Sequence, residues 1–575
     1  MTTLDWIVLV ITLLAIVAYG LYKSRTTRNL DGYFLSNRSM SWGLVLLSII
    51  GTQASAVTFL SAPGQAYTDG MRFVQYYFGL PLAMIAVCIF FVPIFSRLKV
   101  YTAYQYLENR FDGKTRMLIS FYFLLQRGLS TGISVFAPSI ILSSLLGWNI
   151  YWTNIFMGGL LIIYTMSGGA KAVAYTQQLQ MIIIFIGMFL AAYMIVHMLP
   201  EGVGFTDALH VSGKLNKVNV ITTGIRGHGF DWSDQYNLFS GIIGGFFLSL
   251  SYFGADQSQV GRYLTARSVT ESRVGLLMNG LVKVPMQFAI LLIGAMLLTF
   301  YQFNKAPVFF NEVQVARLEK SALNDSFQLL KREYETVAAK KKEAVASFVA
   351  SLHNNGDLSA KTGEMKQLQQ EADSLRKKVK SWIGSRQVGG DGNDTNYIFL
   401  RFVLDYLPSG LVGLLIAIIF LASWGSIAAA INSLASCSMI DFHRKLSRET
   451  ITQEREYALS KRYTLGWGVF CVIVAMFTYN IGNSLIEAVN VLGSLFYGVI
   501  LGVFIVAFFC KKIKNGHAVF WAAVFGELTV LLVFLIAQKR LGFLWLNPIG
   551  VSAVLFYSLL FNSLFKKPEQ KISPA

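Results

Sequence analysis

The sequence predicts an all-α polytopic membrane protein. Of its 575 residues, 54% are apolar and 14% charged, and the mean hydropathy is +0.51. A soluble domain carries about 25% charged residues. The apolar residues fall in blocks of roughly the 17–25 residues that a helix needs to cross a bilayer. The basic residues, which give a formal net charge of +18, gather at the ends of those blocks. That pattern belongs to a membrane protein and argues against a nucleic-acid partner.

Length and flanking polarity give about thirteen spans. They run near 5–22, 41–67, 73–97, 117–146, 149–167, 175–198, 238–259, 274–302, 400–438, 460–480, 484–511, 516–537 and 543–565. The blocks 117–146 and 400–438 exceed one membrane thickness, which calls for tilt or extension past the bilayer. The first block, Leu4–Tyr22, has no basic n-region and no small-x-small site before Lys23. It reads as a retained helix rather than a signal peptide. If the spans alternate, one side receives Lys23, Arg25 and Arg28; Arg97 and Lys99; Arg262 and Arg267; His443, Arg444 and Lys445; Lys511, Lys512 and Lys514; and Lys566 and Lys567. The positive-inside rule makes that side cytoplasmic. The expected topology, in a plasma membrane (the inner one of a Gram-negative cell), has the N-terminus outside and the C-terminus inside. Cys88, Cys437, Cys471 and Cys510 lie within apolar blocks without a CxxC pair. They read as buried hydrophobes, with no disulfide framework.

Residues 304–394 break the pattern with a charged segment. EVQVARLEKSALNDSFQLLKREYETVAAKKKEAVASFVASLH reads as one long helix, HNNGD as a turn, and EMKQLQQEADSLRKKVKSWI as a second helix. Val315, Leu318 and Ala322 on the first, and Met365, Leu368, Ala372, Leu375 and Val379 on the second, make apolar stripes that predict an antiparallel hairpin. Alternation puts it outside the cell, as a surface insert or a docking site for an extracytoplasmic partner.

Two spans look interrupted. SIIGTQASAVTFLSAPGQAY, residues 48–67, carries Gly51, Thr52, Gln53, Ser55, Thr58, Pro63 and Gly64. FSGIIGGFFLSLSYFGADQSQVG, residues 239–261, carries Gly241, Gly244, Gly245 and Gly254, with Ser249 and Ser251. A freed backbone survives at membrane depth only inside protein or beside a cavity. Small residues also make helix-packing faces. Two such segments at matching positions of consecutive five-helix halves point to an inverted-repeat transporter.

Polar residues inside the spans are few. Lys283 is a functional candidate by default, whereas Glu487 lies near a helix end and can snorkel. Asp256, Gln257 and Arg262 in DQSQVGRYL read as a structural cluster at an inner gate. Ser426, mid-helix in LASWGSIAAAINSLASCSMID, either back-bonds to the carbonyl four residues earlier or offers an oxygen to a hard cation. No phosphate loop or HExxH is present, which argues against an enzyme and an ATP-driven pump.

Together these features resemble the sodium:solute symporter family. The resemblance covers about residues 5–512 outside the insert. Its carriers are DGYFLSNRSMSWGLVLLSIIGTQASAVTFLSAPGQAY, FVPIFSRLKVYTAYQYLENRF, YTMSGGAKAVAYTQQLQ, DQSQVGRYL and EAVNVLGSLFYGVILGVF. The second of these is closest to the iodide, monocarboxylate and vitamin branch, and Lys283 resembles the sodium/sugar branch. The resemblance implies a leucine-transporter-like core with alternating access and Na⁺ as coupling ion. It implies an extra helix and loop at 1–40, five-helix repeats at 41–198 and 238–512, a loop at 199–237, the 304–394 insert, and a C-terminal pair of helices and tail at 513–575. The cation would lie between backbone carbonyls of Gly51 and Ala54 and, across from them, the Ala422 carbonyl and Ser426 hydroxyl.

Two departures fall there. Gly425 replaces a second hydroxyl, and Gln177 replaces the carboxylate of a W-T-D-x-x-Q pattern. They argue for weaker cation binding and leave proton-coupled or uncoupled transport as the alternative, with a transporter-like sensor as a third. By the same resemblance Gln53, Thr58, Tyr77, Ser249, Lys283 and Asn490 line the solute site and Tyr252 is the inner gate. A lysine with few carboxylates around it suits an organic anion; a sugar or vitamin-like solute stays open.

Overall fold

The structure is a computed structural model that describes residues 1–24, 30–227, 229–447, 452–478, 485–537 and 540–565. The side chains of Lys23, Arg25, Arg28, Lys566 and Lys567, used above for topology, lie outside that description. The chain is helical almost throughout, with one two-stranded hairpin at Ile225–Arg226 and Gly229–Phe230. Among the described residues nine helices are long and apolar enough to cross a membrane, or ten if the bent pair Trp42–Gln53 and Ala56–Asp69 counts as one span. Ile150–Met166 and Ser240–Gly254 are apolar but shorter. Gln453–Phe477 starts in charged residues.

Several expected boundaries move. The spans 149–167 and 175–198 correspond to Ile150–Met166 and Ala170–His197, which follow one another within one helical run, Ile150–His197. The block 400–438 divides into Ile398–Tyr406 and Leu411–Cys437. The reason is local: Leu407 precedes Pro408 and takes extended dihedrals, as a residue before proline must. Gly410 then supplies a φ of +88°. Asp5 of the first helix caps the new N-terminus, its Oδ1 accepting from the Gly410 and Gly413 amides at 2.6 and 3.2 Å. Gly413 is required here, since a Cβ would stand 2.1 Å from the Asp5 carbonyl oxygen.

The insert forms the predicted hairpin, but its first arm is two helices, Glu312–Glu319 and Asn324–His353, with Ser359–Ile383 returning. Ala322 sits in the break and is exposed, so it leaves the predicted stripe. Phe327, Leu330, Tyr334 and Val337 replace it, packing on Ala372, Leu375, Val379 and Ile383. The turn is made at Asn355 with φ +50°. The base of the hairpin is ionic. Buried Asp394 bridges Arg376 and Lys380, each at 2.7 Å, and accepts from the Phe310 amide at 3.0 Å. Burial alone would raise this carboxyl; the two cations outweigh it and hold it below the usual carboxylate range.

Candidate transport site

The first interrupted span breaks where the sequence indicates. Trp42–Gln53 ends in a small polar run, Ala54 takes φ −88°, ψ 88°, and Ala56–Asp69 leaves at a bend of 60°. The Ala54 amide closes back on Ile50 O at 2.6 Å. The carbonyls of the last turn, Gly51 among them, lose their intrahelical donors at such an end. The second interrupted span breaks inside the expected 239–261 segment, and its Ser240–Gly244 stretch winds as a π-helix. Its glycines are packing positions: a Cβ on Gly241 or Gly245 would lie 2.1 or 2.6 Å from the Gln75 or Tyr76 carbonyl oxygen. The break comes later, at Ala255 and Asp256, before Gln257–Tyr263.

The break in the first span opens onto a central cavity of about 110 Å³. Its wall includes Gln53, Thr58, Tyr77, Ser249, Tyr252 and Asn490, so six of the expected solute and gate residues come together. Thr52 and Ser55 from the break face it, as does Ser426 from Leu411–Cys437. Ser426 back-bonds to Ala422 O at 2.9 Å and to Ser423 O at 3.1 Å. The hydroxyl thus commits its proton to the backbone, and its oxygen still borders the cavity with lone pairs free to accept.

Lys283 does not join them. It is fully buried on Val269–Phe303, with Nζ 5.4 Å from the Tyr77 ring centroid and no hydrogen-bond partner among the described residues. Tyr77 belongs to the cavity wall and Lys283 does not. The cation on the wall is Arg127, from the long helix Gly113–Leu146. Arg127 was legible as a lone arginine within the 117–146 span, which the rule for intramembrane charge marks as functional. It is 9% exposed, and its Nε has no partner. Its Nη1 forms an ion pair with Asp256 Oδ2 at 3.9 Å, too long for a hydrogen bond. Asp256 is already satisfied by the Tyr497 hydroxyl at 2.7 Å and by Ser258 N and Oγ at 2.8 and 2.6 Å. Arg127 also lies 5.7 Å from the Tyr252 ring centroid, and Gln259 Nε2 donates to the Tyr252 hydroxyl at 2.7 Å. Arg127, Tyr252, Asp256 and Tyr497 thus form one polar cluster at the cavity.

The two sequence departures meet. Gln177 is fully buried. Its Oε1 accepts from Ser48 Oγ at 2.8 Å, and its Nε2 donates to Thr52 Oγ1 and to Gly425 O, both at 3.1 Å. One carboxamide therefore ties the broken helix to Leu411–Cys437. It fits because its neighbours are glycines. A Cβ on Gly51 would come within 3.0 Å of Gln177 Cβ and Cγ, and one on Gly425 within 3.2 Å of Gln177 Cγ and 2.5 Å of Gln180 Oε1.

A sequence profile of the Sodium:solute symporter family matches residues 33–327 and 377–526. The chain belongs to that family. It is a Na⁺-coupled solute symporter, a transporter and not an enzyme. The unmatched stretch between the two blocks falls within the hairpin. The sodium/sialic acid symporter NanT of Aliivibrio fischeri is 24% identical over 569 residues, covering 98% of this chain and 94% of that protein. The human sodium-coupled monocarboxylate transporter 2 is 28% identical over 262 residues, covering 45% of this chain and 40% of the transporter. The solved substrate-bound outward-open state of a Na⁺-coupled sialic acid symporter superposes with a TM-score of 0.75 at 22% identity, covering 99% of each chain. This last likeness carries the fold: the leucine-transporter-like architecture expected from the sequence.

Proposed function

We propose that this symporter moves a small organic anion into the cell with Na⁺, and that Arg127 is the anion's anchor. One observation carries the reading: the cation on the cavity wall is a buried arginine whose Nε has no partner and whose nearest carboxylate is already satisfied by other donors. A guanidinium presents donors in a planar fork that matches a carboxylate. Two of the relatives above are named for acids, sialic acid and monocarboxylates. Gln53, Thr58, Tyr77, Ser249 and Asn490 would contact the rest of the solute. Lys283, behind the Tyr77 ring, would act on the wall rather than on the solute.

The cation would be held by carbonyls of Gly51, Ala54 and Ala422 with the Ser426 hydroxyl, beside the Gln177 brace. Thr52, Ser55 and Ser426 border the same cavity, so ordering the junction for one ligand orders the wall for the other. That shared free energy is the coupling. A carboxylate on Arg127 would compete with Asp256 for the guanidinium and loosen the Tyr252–Asp256–Tyr497 cluster, linking solute occupancy to the inner gate. The domain division given above, a plasma-membrane location and an outside N-terminus complete the proposal.

The test is thermal stabilisation of the purified protein in Na⁺ by a panel of carboxylates and neutral sugars. A carboxylate is expected to stabilise it. R127Q is expected to weaken that ligand by about a hundredfold, the scale of about 3 kcal/mol for stripping a buried charge of its partner. Stabilisation by a neutral sugar, with no carboxylate active, would sink the reading.

A further inference from the structure

The hairpin does more than cover the core. Its root touches the outer half of the broken helix, where the Thr395 carbonyl lies so close to Gly64 that a Cβ there would stand 1.9 Å away. Tyr67 of the same half-helix packs edge-on against Phe310, with ring centroids 5.8 Å apart. Between these bodies lies a second cavity, of about 250 Å³. Tyr67 and Thr68 come from the half-helix, Lys217 from the 199–237 loop, and Arg376, Lys377 and Lys380 from the hairpin. Asp373 is the one acid on the wall, and it accepts from Gln369 Nε2 at 2.9 Å.

The charge balance is positive. Asp394 lies under the wall and answers Arg376 and Lys380, leaving Lys377 and Lys217, whose Nζ also donates to the Thr68 carbonyl, against Asp373. Lys341, buried close to Asp373 and Arg376, adds a further base; burial pushes it down to about 8. Arg376 is 7% exposed, and its Nη1 makes no hydrogen bond of normal geometry, the Tyr334 hydroxyl standing beside the guanidinium. Its carbon lies 4.8 Å from the Phe310 ring centroid. Cavity, excess of bases and a buried guanidinium whose Nη1 lacks a partner of normal geometry coincide at one place. The bland alternative, a set of solvated lysines, does not account for a buried arginine on the cavity wall.

We propose that this cavity is a binding site for a small oxyanion, carboxylate or phosphate, distinct from the central cavity. An anion there would touch the hairpin, the loop and the outer half-helix together. It would fix the hairpin against the half-helix whose bend frames the transport site, and so bias its position. The ligand could be a free inorganic anion or the acid group of a solute on its way in; both present the same oxygens.

The test uses the full-length purified protein, titrated with inorganic phosphate at constant Na⁺ and ionic strength, and reads thermal unfolding. Phosphate is expected to raise the midpoint saturably. The R127Q protein is expected to keep that response, which separates this site from the proposed solute site. The K217Q/K377Q double variant, whose side chains leave the Asp394 bridges untouched, is expected to bind phosphate roughly tenfold more weakly, about the loss of one charge-assisted contact. Succinate that competes with phosphate would mark a carboxylate source, and succinate that does not would mark an inorganic one. No saturable rise, an unchanged rise in K217Q/K377Q, or loss of the rise in R127Q would each overturn the proposal.

Discussion

Replacing Gly425 with serine would restore the hydroxyl that the family pattern places beside the cation, yet the geometry says the change harms the site. A Cβ at Gly425 would stand 2.5 Å from Gln180 Oε1 and 3.2 Å from Gln177 Cγ. The first neighbour is the end of a flexible side chain and can turn. The second is fixed by three hydrogen bonds, to Ser48, Thr52 and the Gly425 carbonyl itself, and is backed by Gly51. Overpacking of this kind costs about 1–3 kcal/mol. Displacing the amide from one carbonyl adds about 1 kcal/mol. If about 1.4 kcal/mol of this strain falls on the junction, half-saturating Na⁺ rises tenfold. Na⁺ titration of the thermal midpoint, with wild type and variant side by side, reads both quantities. G425S is expected to melt lower and to need more Na⁺. In a Q177A background, where the obstructing Cγ and the amide brace are both gone, adding G425S is expected to cost less than it does in wild type. A G425S protein that melts like wild type and binds Na⁺ more tightly would refute the reasoning, because Gln177 would then not occupy that space.

Other expectations follow from particular contacts. G64A drives a methyl into the Thr395 carbonyl, 1.9 Å away, and is expected to loosen the hairpin root, read as faster proteolytic nicking of residues 304–394. Lys341 is buried and pushed down to about 8, so between that pH and about 10.5 the unfolded chain binds more protons. Hairpin stability should therefore rise with pH across that window. K341M should abolish the rise and protect the hairpin at pH 7, as measured by hydrogen exchange. K283M is expected to leave carboxylate affinity within a few-fold of wild type, since Lys283 lies behind Tyr77 and off the cavity wall.

Much of this was legible in the chain. Apolar blocks found the spans, the Gly-Thr-Gln run found the first break, and the motif set brought Gln53, Thr58, Tyr77, Ser249, Tyr252 and Asn490 to one cavity. Three things were not so read. Position along the chain cannot say which face of a helix a charge takes, so it does not tell that Arg127 borders the cavity while Lys283 lies off its wall. Glycine content does not separate a helix breaker from a packing site, and Gly241 and Gly245 proved to be the latter. Gly425 and Gln177, 248 residues apart in the chain, read as two losses at one cation region and not as a compensating pair. In space they are one packing unit: a longer neutral side chain needs the room that glycine leaves. The amide then ties together the helices that the cation would otherwise bridge alone.

The central claim, Na⁺-driven import of an organic anion through Arg127, is tested most directly in proteoliposomes. The measurement is uptake of the carboxylate that best stabilises the protein, under an inward Na⁺ gradient, for wild type and R127Q. Uptake by wild type that collapses when choline replaces Na⁺, and that R127Q lacks, is the expected result. Equal uptake in choline, or an R127Q protein that transports as well as wild type, would contradict it.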